Sequence, residues 1–152
     1  MNWREEAVVF LATGFYIGNI PFAPGTFGSL LGLPLGFILA GLKLTPALAV
    51  VALLILFAIW IAHAAEKVLK KADPGCIVID EVAGMVVTLV GLPFNLTTAV
   101  SGFIAFRILD ILKPFPIRIL DQRISGGWGV VADDVAAGIF ANLLLRIVVY
   151  FF

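Results

Sequence analysis

Only one cysteine, Cys76, and one histidine, His63, stand among the 152 residues. A lone cysteine excludes an internal disulfide and a cysteine metal cluster, and Cys76 reads as a small packing residue. A lone histidine excludes the two-histidine arrangement of integral lipid phosphatases, and His63 reads as a packed or interfacial side chain. No Asp-x-Asp pair of the haloacid-dehalogenase type occurs, so the aspartyl-phosphate route has no motif here. Charge is scarce as well: 13% of residues are charged, and ten acids balance ten bases. Nothing in that balance points to nucleic acid or a polyanionic surface partner. The start, "MNWREEAVVFLATGFYIG", has Glu5 and Glu6 ahead of a short apolar run and no small-x-small site, so a removable signal peptide is not expected. What the chain has in excess is apolar surface. Hydrophobic residues make up 62% of it and the mean hydropathy is +1.13, values that point to a bilayer rather than to water.

Hydropathy predicts an all-α, integral membrane helical bundle, a single domain over residues 1–152. The run 44–66, "LTPALAVVALLILFAIWIAHAAE", matches a bilayer core of roughly 30 Å. The stretch 28–42 is a shorter second span containing Pro34, and 133–152 a third, with Tyr150 suited to an interface and Arg146 able to snorkel. Between them, Gly91, Pro93 and Asn95 break residues 80–114 into two helices. The first is too short to cross alone, so a broken, re-entrant hairpin over 81–112 is expected. Basic residues flank it on both sides: Lys67, Lys70 and Lys71 before, Lys113, Arg118 and Arg123 after. A hairpin keeps both basic loops on the cytoplasmic side. The polar stretches "PFAPGTFGS", "DPGCIVIDE", "FRILDILKPFPIR" and "GGWGVVADD" then collect at one membrane face.

Half of the acids meet at that rim: Asp80 and Glu81, Asp110, and Asp133 with Asp134. Close carboxylates repel unless protonated or bridged by a cation, and hard oxygen ligands suit Mg²⁺. Helix capping explains any one of them, but two doubled acids and an interior acid exceed what capping needs. Arg107, Asp110 and Lys113 recur every three residues, as a salt-bridge ladder or as a phosphate grip. Arg107, a cation within an apolar helix, favours the grip. Gly25, Thr26, Gly28 and Ser29 form a loop before a helix, where amides and hydroxyls can receive an anion. Residues 125–131, "SGGWGVV", read as a flexible lead into Asp133 and Asp134.

The segments "APGTFGSL", "DPGCIVIDEVAG", "FRILDILKPFPI" and "GGWGVVADDVAAG", in this order and spacing, resemble the phosphatidylglycerophosphatase A family from residue 14 to about 142. The resemblance implies a Mg²⁺-dependent phosphatase of the bacterial inner membrane, its site facing the cytoplasm. Such an enzyme removes the terminal phosphate of phosphatidylglycerophosphate during phospholipid synthesis. Soluble relatives of the family are all-helical, in agreement with the hydropathy. With the carboxylate cluster, the resemblance implies that Asp80, Glu81, Asp133 and Asp134 hold Mg²⁺ and that one acid helps to deprotonate the attacking water. Arg107, Lys113, Thr26 and Ser29 grip the phosphate in this reading. Asp110 completes the metal shell or orients Arg107 and Lys113. Two other classes are weighed. An ion or metabolite transporter usually carries midplane acids in related halves, and neither is visible. A CDP-alcohol phosphotransferase carries a long aspartate-glycine to aspartate-aspartate signature, which is absent.

Overall fold

The computed structural model describes residues 1–151, apart from the side chains of Asp121, Tyr150 and Phe151. The interfacial placement expected for Tyr150 therefore lies outside the described residues. Within them the regular elements are seven α-helices and one short 3₁₀ turn at Ile17–Asn19. The helices are α1 (Trp3–Ala12), α2 (Pro24–Ala40), α3 (Leu44–Leu69), α4 (Ile79–Leu89), α5 (Leu96–Leu112), α6 (Ile117–Arg123) and α7 (Gly126–Phe151).

Hydropathy does not single out α1. A capping box starts it: the Asn2 side chain accepts the Glu5 N–H, and the Glu5 carboxylate accepts the Asn2 N–H, both at 2.9 Å. Two boundaries differ from the sequence reading. Helix α2 opens at Pro24, a position whose missing N–H costs the helix nothing, so Gly25, Thr26, Gly28 and Ser29 are helical rather than a loop. Helix α7 opens at Gly126, so the glycines of 125–131 are not a flexible lead and Asp133 and Asp134 lie inside the helix. Packing is the reason. A Cβ at Gly127 would lie 2.7 Å from the backbone nitrogen of His63 on α3, so glycine there permits helix contact despite its poor propensity.

The expected break between α4 and α5 falls at residues 90–95, and Asn95 caps α5 by accepting the Thr98 N–H at 2.9 Å. Every residue of α4 except Glu81 is buried. Helix α2 runs parallel to it: Gly25, Gly28, Gly32 and Gly36 meet Glu81, Val78, Met85 and Leu89 in turn. Small residues at this spacing let two helices approach closely. On the other flank Gly138 of α7 abuts the Gly84 carbonyl.

The α2–α3 turn and the 90–95 turn share one end of the bundle, where Leu39, Ala40, Leu42 and Leu44 face Gly91, Leu92 and Pro93. Here α7 finishes α4. Asn142 Nδ2 donates to the carbonyls of Val87, Thr88 and Val90 at 2.8–3.2 Å. Arg146 donates to Asn142 Oδ1 at 2.8 Å and to Val90 O at 3.2 Å. Helix-terminal carbonyls without such partners would be costly away from water. The loops before α4 and after α5 lie together at the opposite end, around the acids.

Helix α3 is long and apolar enough to cross a membrane. Its most apolar 18 residues have a mean hydropathy of 2.7, and only 22% of them are buried, so its greasy surface points outward. At ~1.5 Å per residue its length exceeds the ~30 Å of a hydrocarbon core. Among the described residues it alone meets that standard. Helix α2 is apolar but has 17 residues, and α7 carries Asp133, Asp134 and Arg146.

Candidate active site

At the polar end, a cavity of about 540 Å³ opens between the first turns of α2 and α4, the last turn of α5 and the first half of α7. Asp80, Glu81, Arg107, Asp110, Lys113, Asp133 and Asp134 all line it. The distant acids meet because α4 and α7 cross closely at Gly84 and Gly138, one turn beyond Glu81 and Asp134 respectively.

Asp80, Asp133 and Asp134 are only 8%, 5% and 4% exposed. One oxygen from each of Asp80, Glu81 and Asp134 falls within a 4.8 Å cluster, and a second cluster of the same size joins Asp110, Asp133 and Asp134. Asp134 belongs to both. Asp80 Oδ1, Glu81 Oε2 and Asp134 Oδ2 are buried and accept no hydrogen bond. Burial raises the Asp80 carboxyl well above the ordinary carboxylate range, and the charges of Glu81 and Asp134 raise it further. Asp80 lies at the polar end of the bundle, just ahead of the hairpin. Carboxylates so dry, so close and so poorly bonded are acceptable as neutral acids or around a cation. The donor set is hard oxygen throughout, which fits a hard divalent cation such as Mg²⁺.

Two cations are paired within the same cavity. Arg107 Nη1 donates to Asp110 Oδ2 at 2.6 Å and reaches Ser29 Oγ at 3.4 Å, while Ser29 donates to Gly25 O at 2.7 Å. Lys113 Nζ donates to Asp133 Oδ2 at 2.6 Å. Asp110 therefore orients Arg107, and Lys113 pairs across to α7. Ser29 is buried beneath Arg107. Thr26 is not among the lining residues, and its neighbour Gly25 is. A Cβ at Gly25 would collide with Glu81 Oε1 and lie 3.3 Å from Arg107 Nη1. His63 stays outside the cavity, 4.0 Å from Glu66, with its side chain more than half exposed.

Sequence reasoning put Gly25 in the anion-receiving stretch but not against Glu81, and it missed Glu66, whose Oε1 accepts the Asp73 N–H at 2.8 Å and fixes the loop along one edge. The signal for Glu66 was present: it is the first charge after the long apolar run of α3.

Comparison with known proteins gives a consistent set. The family model for phosphatidylglycerophosphatase A matches residues 10–149. The phosphatidylglycerophosphatase A of Escherichia coli (strain K12) is 40% identical over 136 residues, covering 89% of this chain and 79% of that protein. The Haemophilus influenzae protein of the same name is 38% identical over 144 residues, covering 92% and 87%. A Bacteroides thetaiotaomicron protein provisionally named a phosphatidylinositol-3-phosphatase is 37% identical over 147 residues, covering 91% of each. No solved structure matches the chain.

Proposed function

The chain belongs to the phosphatidylglycerophosphatase A family, and from that premise we propose that it hydrolyses the terminal phosphomonoester of phosphatidylglycerophosphate. The products are phosphatidylglycerol and inorganic phosphate, a step of phospholipid biosynthesis. The observation that carries this reading is the pairing, in one cavity, of buried carboxylate oxygens lacking partners with two cations, Arg107 and Lys113.

Asp80, Glu81, Asp133 and Asp134 would hold Mg²⁺, with Asp134 common to two adjacent positions. When bound, the ion supplies positive charge that acidifies a water and neutralises phosphoryl oxygens. Arg107 and Lys113 bind the non-bridging oxygens, where their charge counts most as negative charge builds. Asp110 and Ser29 hold the guanidinium in place. Glu81, the least buried of the α4 acids and with Oε2 free, takes the proton of the attacking water. Water oxygen bonds to phosphorus as the bond to the glycerol oxygen breaks, and that oxygen takes up a proton.

We also read the bundle as multi-pass in the bacterial cytoplasmic membrane, with about three spans and the α4–α5 hairpin, its site facing the cytoplasm. Outward-facing apolar α3 and the basic residues Lys67, Lys70, Lys71, Arg118 and Arg123 near the site end support this. Purified protein assayed for phosphate release with Mg²⁺, and again in chelator, tests the activity. Phosphatidylinositol 3-phosphate in parallel tests the head group suggested by the third relative's name. Release that is undiminished in chelator, or absent with phosphatidylglycerophosphate, refutes the proposal.

A further inference from the structure

Two almost wholly apolar grooves mark the outside of the bundle near the polar cavity. One lies between α3 and α7, lined by Ile55, Ile59, Trp128, Val131, Val135 and Ile139 among others. The other, about 350 Å³, lies along α5 and is lined by Phe103, Ile104, Ile108, Ile111 and Leu112, with Arg107 in its wall. They differ in one respect that matters. The α3–α7 groove shares no lining residue with the polar cavity, whereas the α5 groove shares Arg107 and Ile111.

Ile104, Ile108 and Ile111 recur at helical spacing, so they form one stripe, and each is at least half exposed. Arg107 divides this stripe from the cavity. Its Nη1 is committed to Asp110, yet its Nε is buried and donates to nothing. A buried guanidinium nitrogen without an acceptor is costly, and here it stands where an apolar trough meets an anion-binding pocket. A molecule with an acyl chain joined to a phosphate-bearing head matches both halves at once.

We propose that the α5 groove is the acyl-chain subsite of the lipid substrate, with Arg107 as the hinge between chain and head group. It rests on the lipid-phosphatase reading above and adds the side from which the lipid enters the site. Helix α5 then faces the lipid pool, and the α3–α7 groove is ordinary bilayer contact.

The test uses the full chain in mixed micelles with two groove-filling variants, Ile104→Trp and Ile108→Trp, and Ile139→Trp in the other groove as the control. Loss of a few buried methylenes should raise KM for long-chain phosphatidylglycerophosphate about tenfold in both α5 variants. Hydrolysis of the deacylated head group should stay at the parental rate, which also certifies the fold. Separately, a long-chain phosphatidylglycerophosphate bearing a photoreactive group on its acyl chain should label the 103–112 segment of the parent protein, and unlabelled lipid should compete. Parental KM in both α5 variants, or labelling centred on α3 and α7, overturns the groove assignment while leaving the phosphatase reading intact. A parent protein that hydrolyses neither lipid nor head group overturns both.

Discussion

Replacing Asp134 with asparagine should move stability and turnover in opposite directions. The carboxylate is almost fully buried, takes part in both oxygen clusters and keeps one oxygen unpartnered. Without a cation it costs the fold, because a dry charge among like charges is disfavoured. Asp134→Asn should therefore abolish phosphate release yet raise the thermal midpoint of the chelator-treated protein by about 2–4 °C or more. A lowered midpoint would mean that the carboxylate already has a stabilising partner. Gly25 makes a second residue-level case. Gly25→Ala should push Glu81 and Arg107 aside and reduce kcat/KM about ten- to a hundredfold with helix content unchanged, since small misplacements of catalytic groups are expensive. The acids were legible in the sequence because charge is rare in so apolar a chain. The Arg107–Asp110 pair was legible from its spacing. The role of Gly25 was not, since what it leaves room for lies far along the chain, and the Lys113–Asp133 contact was hidden because it joins two helices.

At the scale of the element, α4 depends on α7 for its ending. Asn142 alone serves three carbonyls at the α4 terminus, and Arg146 both fixes Asn142 and adds a donor. Asn142→Leu keeps the branched outline of the side chain but strands those carbonyls. It should destabilise the protein by about 1–3 kcal/mol, read as a lower midpoint in denaturant, while the KM for Mg²⁺ stays put because the cavity lies at the other end of the helix. A shifted metal dependence with unchanged stability would contradict this. Helix α3 was legible from hydropathy, and the α4–α5 break from Gly91, Pro93 and Asn95, because both signals are local. The starts of α2 and α7 were not. Glycine disfavours a helix by intrinsic propensity, and only the close approach of α4 to α2 and of α3 to α7 outweighs that preference. The hairpin itself was read from the basic loops on either side of it. The structure adds that α4 is its buried axis, with Glu81 alone among its residues not buried.

For the whole molecule, the raised Asp80 carboxyl ties folding to pH and to metal. Burial makes Asp80 keep its proton to a higher pH in the folded, metal-free protein than in the unfolded chain, which releases it at about pH 4. Above that value the unfolded state binds fewer protons than the folded one, so stability falls as pH rises, until the folded-state carboxyl has itself ionised. A divalent cation that binds only the folded state acts in the contrary sense. It stabilises by mass action, and more strongly at neutral than at acidic pH, because protons compete for the same oxygens. The chelator-treated protein should thus have a higher unfolding midpoint near about pH 5 than near about pH 7.5. Millimolar Mg²⁺ should flatten or invert that slope, and Asp80→Asn should flatten it without Mg²⁺. A midpoint in chelator that climbs toward neutral pH would show the cluster to be charged at no cost, and the case for a cation between α4 and α7 would fall with it. The same linkage would account for five acids at one end of so hydrophobic a bundle: the charge that makes the empty site unstable is the charge that the proposed ion, and the proposed phosphate grip of Arg107 and Lys113, would require.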